Sequence, residues 1–323
     1  MRAAAGLIGV AALLAGCATR ALPPADPQPP SVTMLTQAQK PGDLVPPGMA
    51  YLYGSAEAAA LSEQAYNGMV AYVRGVLDKA RDARGRLPSQ RAAGTMPRWP
   101  RSAVLAPGAT AGMVDMLPCG TLPPAVVLDM DETVVLNLGY EYHDARTGQG
   151  YDPKRWDRWE QGGADKVSPL PGAVAAFRGL RALGVTMVIN TNRSAAHAAD
   201  TARALKNAGL GDFTHGETLF LKGDVDGASG KDGRRQAIAA RYCVLAMAGD
   251  QLGDFADLFN PPGPAPALGR RALASVDAIR AKWGAGWFVL PNPVYGTGLG
   301  TGWDETFPKD RRWDDGVPAG GAK

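Results

Sequence analysis

Four times along this chain a short apolar run breaks off at polar residues, with segments of helical period between the breaks. Val126-Val127-Leu128 leads into Asp129-Met130-Asp131, residues 185–189 into Asn190-Thr191-Asn192, residues 218–221 into Lys222, and residues 244–248 into Gly249-Asp250. Helical patterns occupy 172–183, closed by Gly184, then 195–208, closed by Gly209, and 234–240. A last helix at 275–283 precedes a strand at 287–290. Strands alternating with helices at this spacing predict an α/β fold, a parallel sheet covered by helices on both faces. Ligands of such sheets gather beyond the carboxyl ends of the strands. The polar clusters fall at those ends, so one pattern limits both the fold and the place of a site.

Ahead of the sheet, Ser55 is a candidate N-cap for a helix carrying Leu61, Ala65, Met69, Tyr72, Val73, Val76 and Leu77 on one stripe. Residues 136–168 are too many for a simple crossover. With Tyr140, Tyr142, Trp156 and Trp159 they read as a small, mostly helical cap or pocket wall. A length of 323 residues suits one large domain, 49–305, with this insertion and a tail at 306–323. The net charge is only +3 and no Lys/Arg stripe stands out, so a nucleic-acid polymer is not an expected partner.

Arg2 and the apolar residues 7–14 have the form of an export signal, too short to span a membrane. Leu14-Ala15-Gly16-Cys17 resembles the lipobox of bacterial lipoproteins. That resemblance implies removal of the leader and acylation of Cys17. Residues 18–48, rich in Pro, Gln and Thr, read as a flexible tether. Ala18 after the cysteine, rather than Asp, points to the outer membrane by the enteric-type rule. Export favours disulfides. Cys119 and Cys243 each precede an apolar run that ends in an acidic motif. They are either a disulfide at the far end of the sheet or two buried thiols.

Phosphoryl transfer asks the protein mainly for positioning and charge neutralisation. A carboxylate nucleophile divides ester hydrolysis into two easier steps through an acyl phosphate. It needs a second carboxyl group for proton transfer, a cation, and donors for the phosphate oxygens. Asp129 and Asp131, two apart, share a face in an extended strand, and carboxylates that close repel unless a cation lies between them. Thr191, with Asn192 beside it, precedes a helix and suits either phosphate donation or an N-cap role. Lys231 opens a predicted helix nineteen residues before Asp250; Lys222, directly after the third strand, is its competitor. Asp250 and Asp254 share a face if their turn is helical, and oxygen ligands at this density suit Mg²⁺.

The motif Leu128-Asp129-Met130-Asp131-Glu132-Thr133 resembles the DxDxT of haloacid dehalogenase-like (HAD) phosphatases, and Gly249-Asp250-Gln251-Leu252-Gly253-Asp254 resembles their GDxxxD. The resemblance implies that Asp129 attacks phosphorus and that Asp131 protonates the leaving oxygen and then activates water. It assigns Thr191 and Lys231 to the phosphate. It assigns Asp129, the backbone carbonyl of Asp131, Asp250 and Asp254 to the metal. Flanking segments narrow the likeness to the class C acid phosphatases, bacterial lipoprotein 5'-nucleotidases. These are Gly54-Ser55-Ala56-Glu57, with the helix that follows, and Leu290-Pro291-Asn292-Pro293-Val294-Tyr295-Gly296, similar to a PNPxYG signature. This branch implies phosphomonoester substrates, nucleoside monophosphates foremost, with Tyr295 and Tyr140 or Tyr142 as faces for the base. The branch carries a Trp soon after PNPxYG, where this chain has Gly296-Thr297-Gly298, which favours a broader monoester range.

Rival chemistries lack residues. His143, His197 and His215 lie in no RHG arrangement, and they form no zinc-ligand cluster. A non-catalytic lipoprotein that binds ligand on the same scaffold is the alternative of a different class.

Overall fold

The computed structural model describes residues 44–81, 85–87, 99, 101–225, 227, 229–261, 267–300 and 302–313. The chain divides into units Met1–Leu44 and Val45–Lys323. Cys17, most of the 18–48 tether, most of the loop expected between Arg84 and Arg101, and the end of the tail lie outside the described residues.

The second unit opens with two helices, α1 (Pro47–Gly54) and α2 (Ala56–Ala80). Ser55 caps α2, its hydroxyl accepting from the Ala58 N–H at 3.0 Å. The buried stripe of α2 is Ala58, Ser62, Tyr66, Met69, Val73, Leu77 and Ala80. Met69, Val73 and Leu77 belong to the expected stripe, and Ala65, Tyr72 and Val76 pack against the same core. Leu61 faces solvent and Tyr66 takes the core position, because its hydroxyl reaches the Thr133 carbonyl at 2.6 Å.

The sheet holds β1 (Pro124–Leu128), β4 (Thr186–Ser194), β5 (Leu219–Lys222), β6 (Cys243–Gly249) and β7 (Trp287–Val289), in the order β5-β4-β1-β6-β7. All neighbours are parallel. Val126 and Leu128 of β1 enter one core with α2 and with α5 (Ala173–Ala182). Ala125 and Val127 enter the opposite core, with Trp287, Phe255, Phe259 and Ile238 of α7 (Asp232–Ala239). A strand buried on both faces needs an unbroken apolar run, which β1 has. Chain order reverses direction at β1, with β4 on one side and β6 on the other. The crevice for ligands therefore opens above Asp129.

Between β1 and α5, an antiparallel pair, β2 (Val135–Leu136) and β3 (Ser168–Pro169), forms the base of the cap. The cap consists of α3 (Leu138–Thr147) and α4 (Pro153–Gly162). Beyond β4, α6 (Ala198–Asn207) follows a 3₁₀ turn, Ala195–His197.

Two element boundaries differ from expectation. β4 runs on through the second motif to Ser194, which pairs with Lys222 of β5. The helix expected at 275–283 is instead α8 (Ala267–Ala274) and α9 (Asp277–Arg280). The Ser275 hydroxyl and the Trp283 indole donate to the carbonyls of Arg271 and Ala274, which ends α8 before Val276 turns extended. At the opposite end of the sheet from the motifs, Cys119 and Cys243 are disulfide-bonded, their Cα atoms 4.7 Å apart. Among the described residues no helix is long and apolar enough to cross a membrane.

Candidate active site

Parallel strands deliver their carboxyl ends to one edge, and the four motifs meet there. Asp129 continues the ladder of β1, its N–H donating to the Ala248 carbonyl at 3.0 Å. Lys231, at the start of α7, donates from Nζ to Asp129 Oδ1 at 2.5 Å and to Asp254 Oδ1 at 2.7 Å. Lys222 is exposed at the end of β5, so Lys231 is the lysine that reaches the first motif. Asp129, Asp250 and Asp254 bring carboxylate oxygens within 4.8 Å of one another.

Local chemistry fixes each member. Asp254 closes a 3₁₀ turn by accepting the Gln251 N–H at 2.9 Å. A β-carbon on Gly249 would overlap the Asp254 side chain, which is why glycine precedes Asp250. Asp250 accepts from Thr133 Oγ1 at 3.0 Å, from Gln251 Nε2 at 2.9 Å and from Asn292 Nδ2 at 2.8 Å. The backbone of Lys231 is held by Asp257, whose carboxylate accepts the N–H groups of Lys231 and Asp232, each at 2.9 Å.

Burial pushes the Asp129 carboxyl up, against the opposing pull of Lys231. Burial and Asp254 push Asp250 up to about 7. Burial works against the charge of Lys231, but Asp129 and Asp254 outweigh it and hold the ammonium above its usual range. When all three carboxylates are ionised, the one ammonium leaves a formal charge of −2 among them. A hard divalent cation fits this donor set in both charge and chemistry.

The second carboxylate of the first motif faces the other way. Asp131 Oδ1 accepts from Arg193 Nη2 at 2.7 Å, Arg193 Nε at 3.0 Å and Asn137 Nδ2 at 3.0 Å. The Arg193 guanidinium is buried, with the Trp156 ring 5.6 Å from its carbon. Glu160 of α4 accepts the Ser194 N–H at 2.9 Å, and Trp159 Nε1 donates to Asn137 Oδ1 at 2.9 Å. The cap is thereby fastened to the end of β4.

Thr191 is buried beside this pair, and its hydroxyl accepts the Arg193 N–H at 3.2 Å. Asn192 is exposed and its side-chain oxygen is taken by Arg234, which also donates to the Thr191 carbonyl. Tyr295 is partly exposed, and its hydroxyl donates to Glu132. Tyr140 does not offer a free face. It is buried edge-on to Trp156 at 5.0 Å, with Arg155 over its ring, whereas Tyr142 is largely exposed.

Arg193, Arg234 and Asn137 carried no functional assignment in the sequence, and neither did Arg235, which donates to the carbonyls of Gly253 and Asp254. A faint signal existed for Arg193 alone, since it shares a strand face with Thr191 two residues earlier.

A parallel sheet whose central strand ends in two aspartates, backed by a lysine and by a second acidic turn, defines the HAD-like class of α/β domain. The family model described as HAD superfamily, subfamily IIIB (Acid phosphatase) matches residues 110–298, more than half of the chain, and the chain belongs to that family. It is similar to acid phosphatase 1 of Solanum lycopersicum, 30% identical over 175 residues. That match covers 52% of this chain and 57% of the relative, so the chain spans little more than half of the relative's length. The fold is that of the class C acid phosphatase of Bacillus anthracis, with a TM-score of 0.58 at 24% identity, covering 78% of this chain and 84% of that one. A tungstate-bound structure of the Bacillus anthracis protein gives the same TM-score, 0.58, at 23% identity, covering 81% and 89% of the two chains.

Proposed function

We propose that this chain is a phosphomonoester hydrolase that works through a phosphorylated Asp129 and a resident divalent cation, Mg²⁺ by donor chemistry. The observation that carries the reading is the buried Asp129 carboxylate, with Lys231 on one oxygen and two further carboxylates within 4.8 Å. Asp129, Asp250 and Asp254, with the Asp131 carbonyl, are the residues to hold the cation. When bound it screens the carboxylates from the incoming phosphate and stabilises charge on the phosphoryl oxygens.

The chain's own groups do the rest. Lys231 and Thr191 bind phosphate oxygens. An Asp129 oxygen bonds to phosphorus as the bond to the leaving oxygen breaks, and Asp131 gives that oxygen its proton. Asp131 then takes a proton from water, which attacks phosphorus, releasing phosphate and restoring the Asp129 carboxylate. Arg193 and Asn137 hold Asp131 for both transfers.

Nucleoside monophosphates are the proposed substrate class, with the ring of the partly exposed Tyr295 as one face for the base. The packing of Tyr140 inside the cap leaves the opposite face open, in keeping with a broader monoester range. The export signal and Cys17 support a lipid-anchored protein of the bacterial envelope, at the outer membrane. Metabolic labelling with a palmitate analogue, lost in Cys17→Ser, tests the anchor.

The activity is tested by phosphate release from a 5'-mononucleotide and from an aryl phosphate, each with Mg²⁺ and with EDTA. Release that needs the metal is the expected result. No release by folded protein would contradict the reading and favour a binding lipoprotein.

A further inference from the structure

The two flanking segments that mark the class C likeness contribute no atom to the phosphoryl transfer proposed above, yet both converge on one carboxylate, Glu132. Tyr53, near the end of α1, donates to Glu132 Oε1 at 3.2 Å, and Tyr295 donates to Oε2. The Asn137 N–H reaches Oε1 at 2.9 Å, and Asn137 Nδ2 reaches Oε2 at 3.1 Å. Glu132 is fully buried, and it alone among the described non-glycine residues has a positive φ, 50°. A backbone in that region is retained only where its surroundings over-determine it. Here five hydrogen-bond contacts from three segments do so.

Asn137 makes the next link. Its amide nitrogen also donates to Asp131 Oδ1 at 3.0 Å, while its oxygen accepts from Arg193 Nη2 and Trp159 Nε1, both at 2.9 Å. A flipped amide would set its oxygen against two carboxylates and its NH₂ against two donors, so Glu132, together with Arg193 and Trp159, fixes which end faces Asp131. The flanks also brace each other. Asn292 Oδ1 accepts the N–H groups of Val294 and Tyr295, and a β-carbon on Gly48 of α1 would overlap the Pro293 carbonyl. Burial and Glu132 hold both tyrosine hydroxyls above their usual range, so both remain donors.

We infer that Glu132 is a positioning residue: through Asn137 it orients Asp131, and through Tyr53 and Tyr295 it makes that orientation depend on the N-terminal helix and the C-terminal loop. This rests on the phosphatase reading and on the acid–base role given there to Asp131. It separates two roles of Tyr295, a ring proposed as a face for the base and a hydroxyl that braces the acid.

The test is steady-state kinetics on the wild type, Tyr53→Phe, Tyr295→Phe, Glu132→Gln, Glu132→Gln/Tyr295→Phe and Tyr53→Phe/Tyr295→Phe, with a 5'-mononucleotide and an aryl phosphate. Phenylalanine keeps the ring and its stacking face. Each single tyrosine variant is expected to lower kcat about 3- to 10-fold on both substrates, with KM held within about twofold. In the Glu132→Gln background, loss of the Tyr295 hydroxyl is expected to cost less than about twofold further, as for groups acting through one partner. If Glu132→Gln does not fold, the two-tyrosine variant decides, its loss falling short of the product of the single losses. Unchanged kcat in both tyrosine variants, a change confined to KM, or multiplicative losses would overturn the inference while leaving an active phosphatase. A folded wild type without turnover would overturn the phosphatase reading itself, and this inference with it.

Discussion

The two carboxylates of the first motif sit two residues apart and live in opposite environments. On the Asp129 side, three carboxylates share one ammonium, and burial pushes both Asp129 and Asp250 up. On the Asp131 side, a buried arginine, an asparagine amide and two tyrosine hydroxyls satisfy Asp131 and Glu132. In the proposed reading, the first side is where a cation and a phosphate bring their charges. The second is complete before any ligand arrives. Phosphoryl transfer needs both, a place where charge is exchanged and a frame that does not move while this happens.

The contrast predicts how damage divides. Asp129→Asn should lower kcat at least about 10³-fold, as loss of a nucleophile does, while folding is kept. Near-wild-type turnover would show that the charge-exchanging side is not where the chemistry occurs. Arg193→Met should cost about 3 kcal/mol or more in denaturant unfolding, since it leaves the Asp131 carboxylate without its buried cation. Little change would mean that the frame is not a frame.

Cation affinity sharpens the division. By calorimetry on the protein without substrate, Asp250→Asn should weaken Mg²⁺ binding by about 10-fold or more, while Glu132→Gln stays within about twofold. Equal losses would merge the two sides into one. The smallest effect is on pH. Burial and the Asp131 charge push Glu132 up to about 8, and burial pushes Asp250 up to about 7. The folded state therefore binds protons more tightly than the unfolded chain between the ordinary carboxylate range and those values. Stability of the metal-free protein should fall as pH rises through that window. Mg²⁺ should flatten the Asp250 part of the slope, and Glu132→Gln the rest, as read by thermal unfolding at a series of pH values.

Much of the Asp129 side was legible because its members are local motifs at strand ends, and a parallel sheet brings strand ends together whatever the loops do. The Asp250–Asp254 turn follows from that geometry, whereas Lys231 stands at the start of α7 and was favoured by its spacing to Asp250, as in the family, and by the helix start. The Asp131 side was opaque for the opposite reason. Arg193 and Asp131 lie 62 residues apart, and Tyr295 lies 163 from Glu132. A buried arginine has no local signature that tells it from a surface one. Tyr140 shows a second limit, since an aromatic in a cap insertion reads alike whether it stacks on a substrate or, as here, packs edge-on against Trp156. In α2 the expected stripe was right except toward its start, where Leu61 is exposed and Tyr66 is buried with its hydroxyl on the Thr133 carbonyl.

Acid quenching of the wild type during turnover of a radiolabelled phosphomonoester, followed by peptide mass spectrometry, tests the central claim most directly. The account predicts label trapped on the peptide carrying Asp129, absent in Asp129→Asn and from wild type treated with EDTA. Turnover at full rate with no trapped label, or label on another residue, would contradict it.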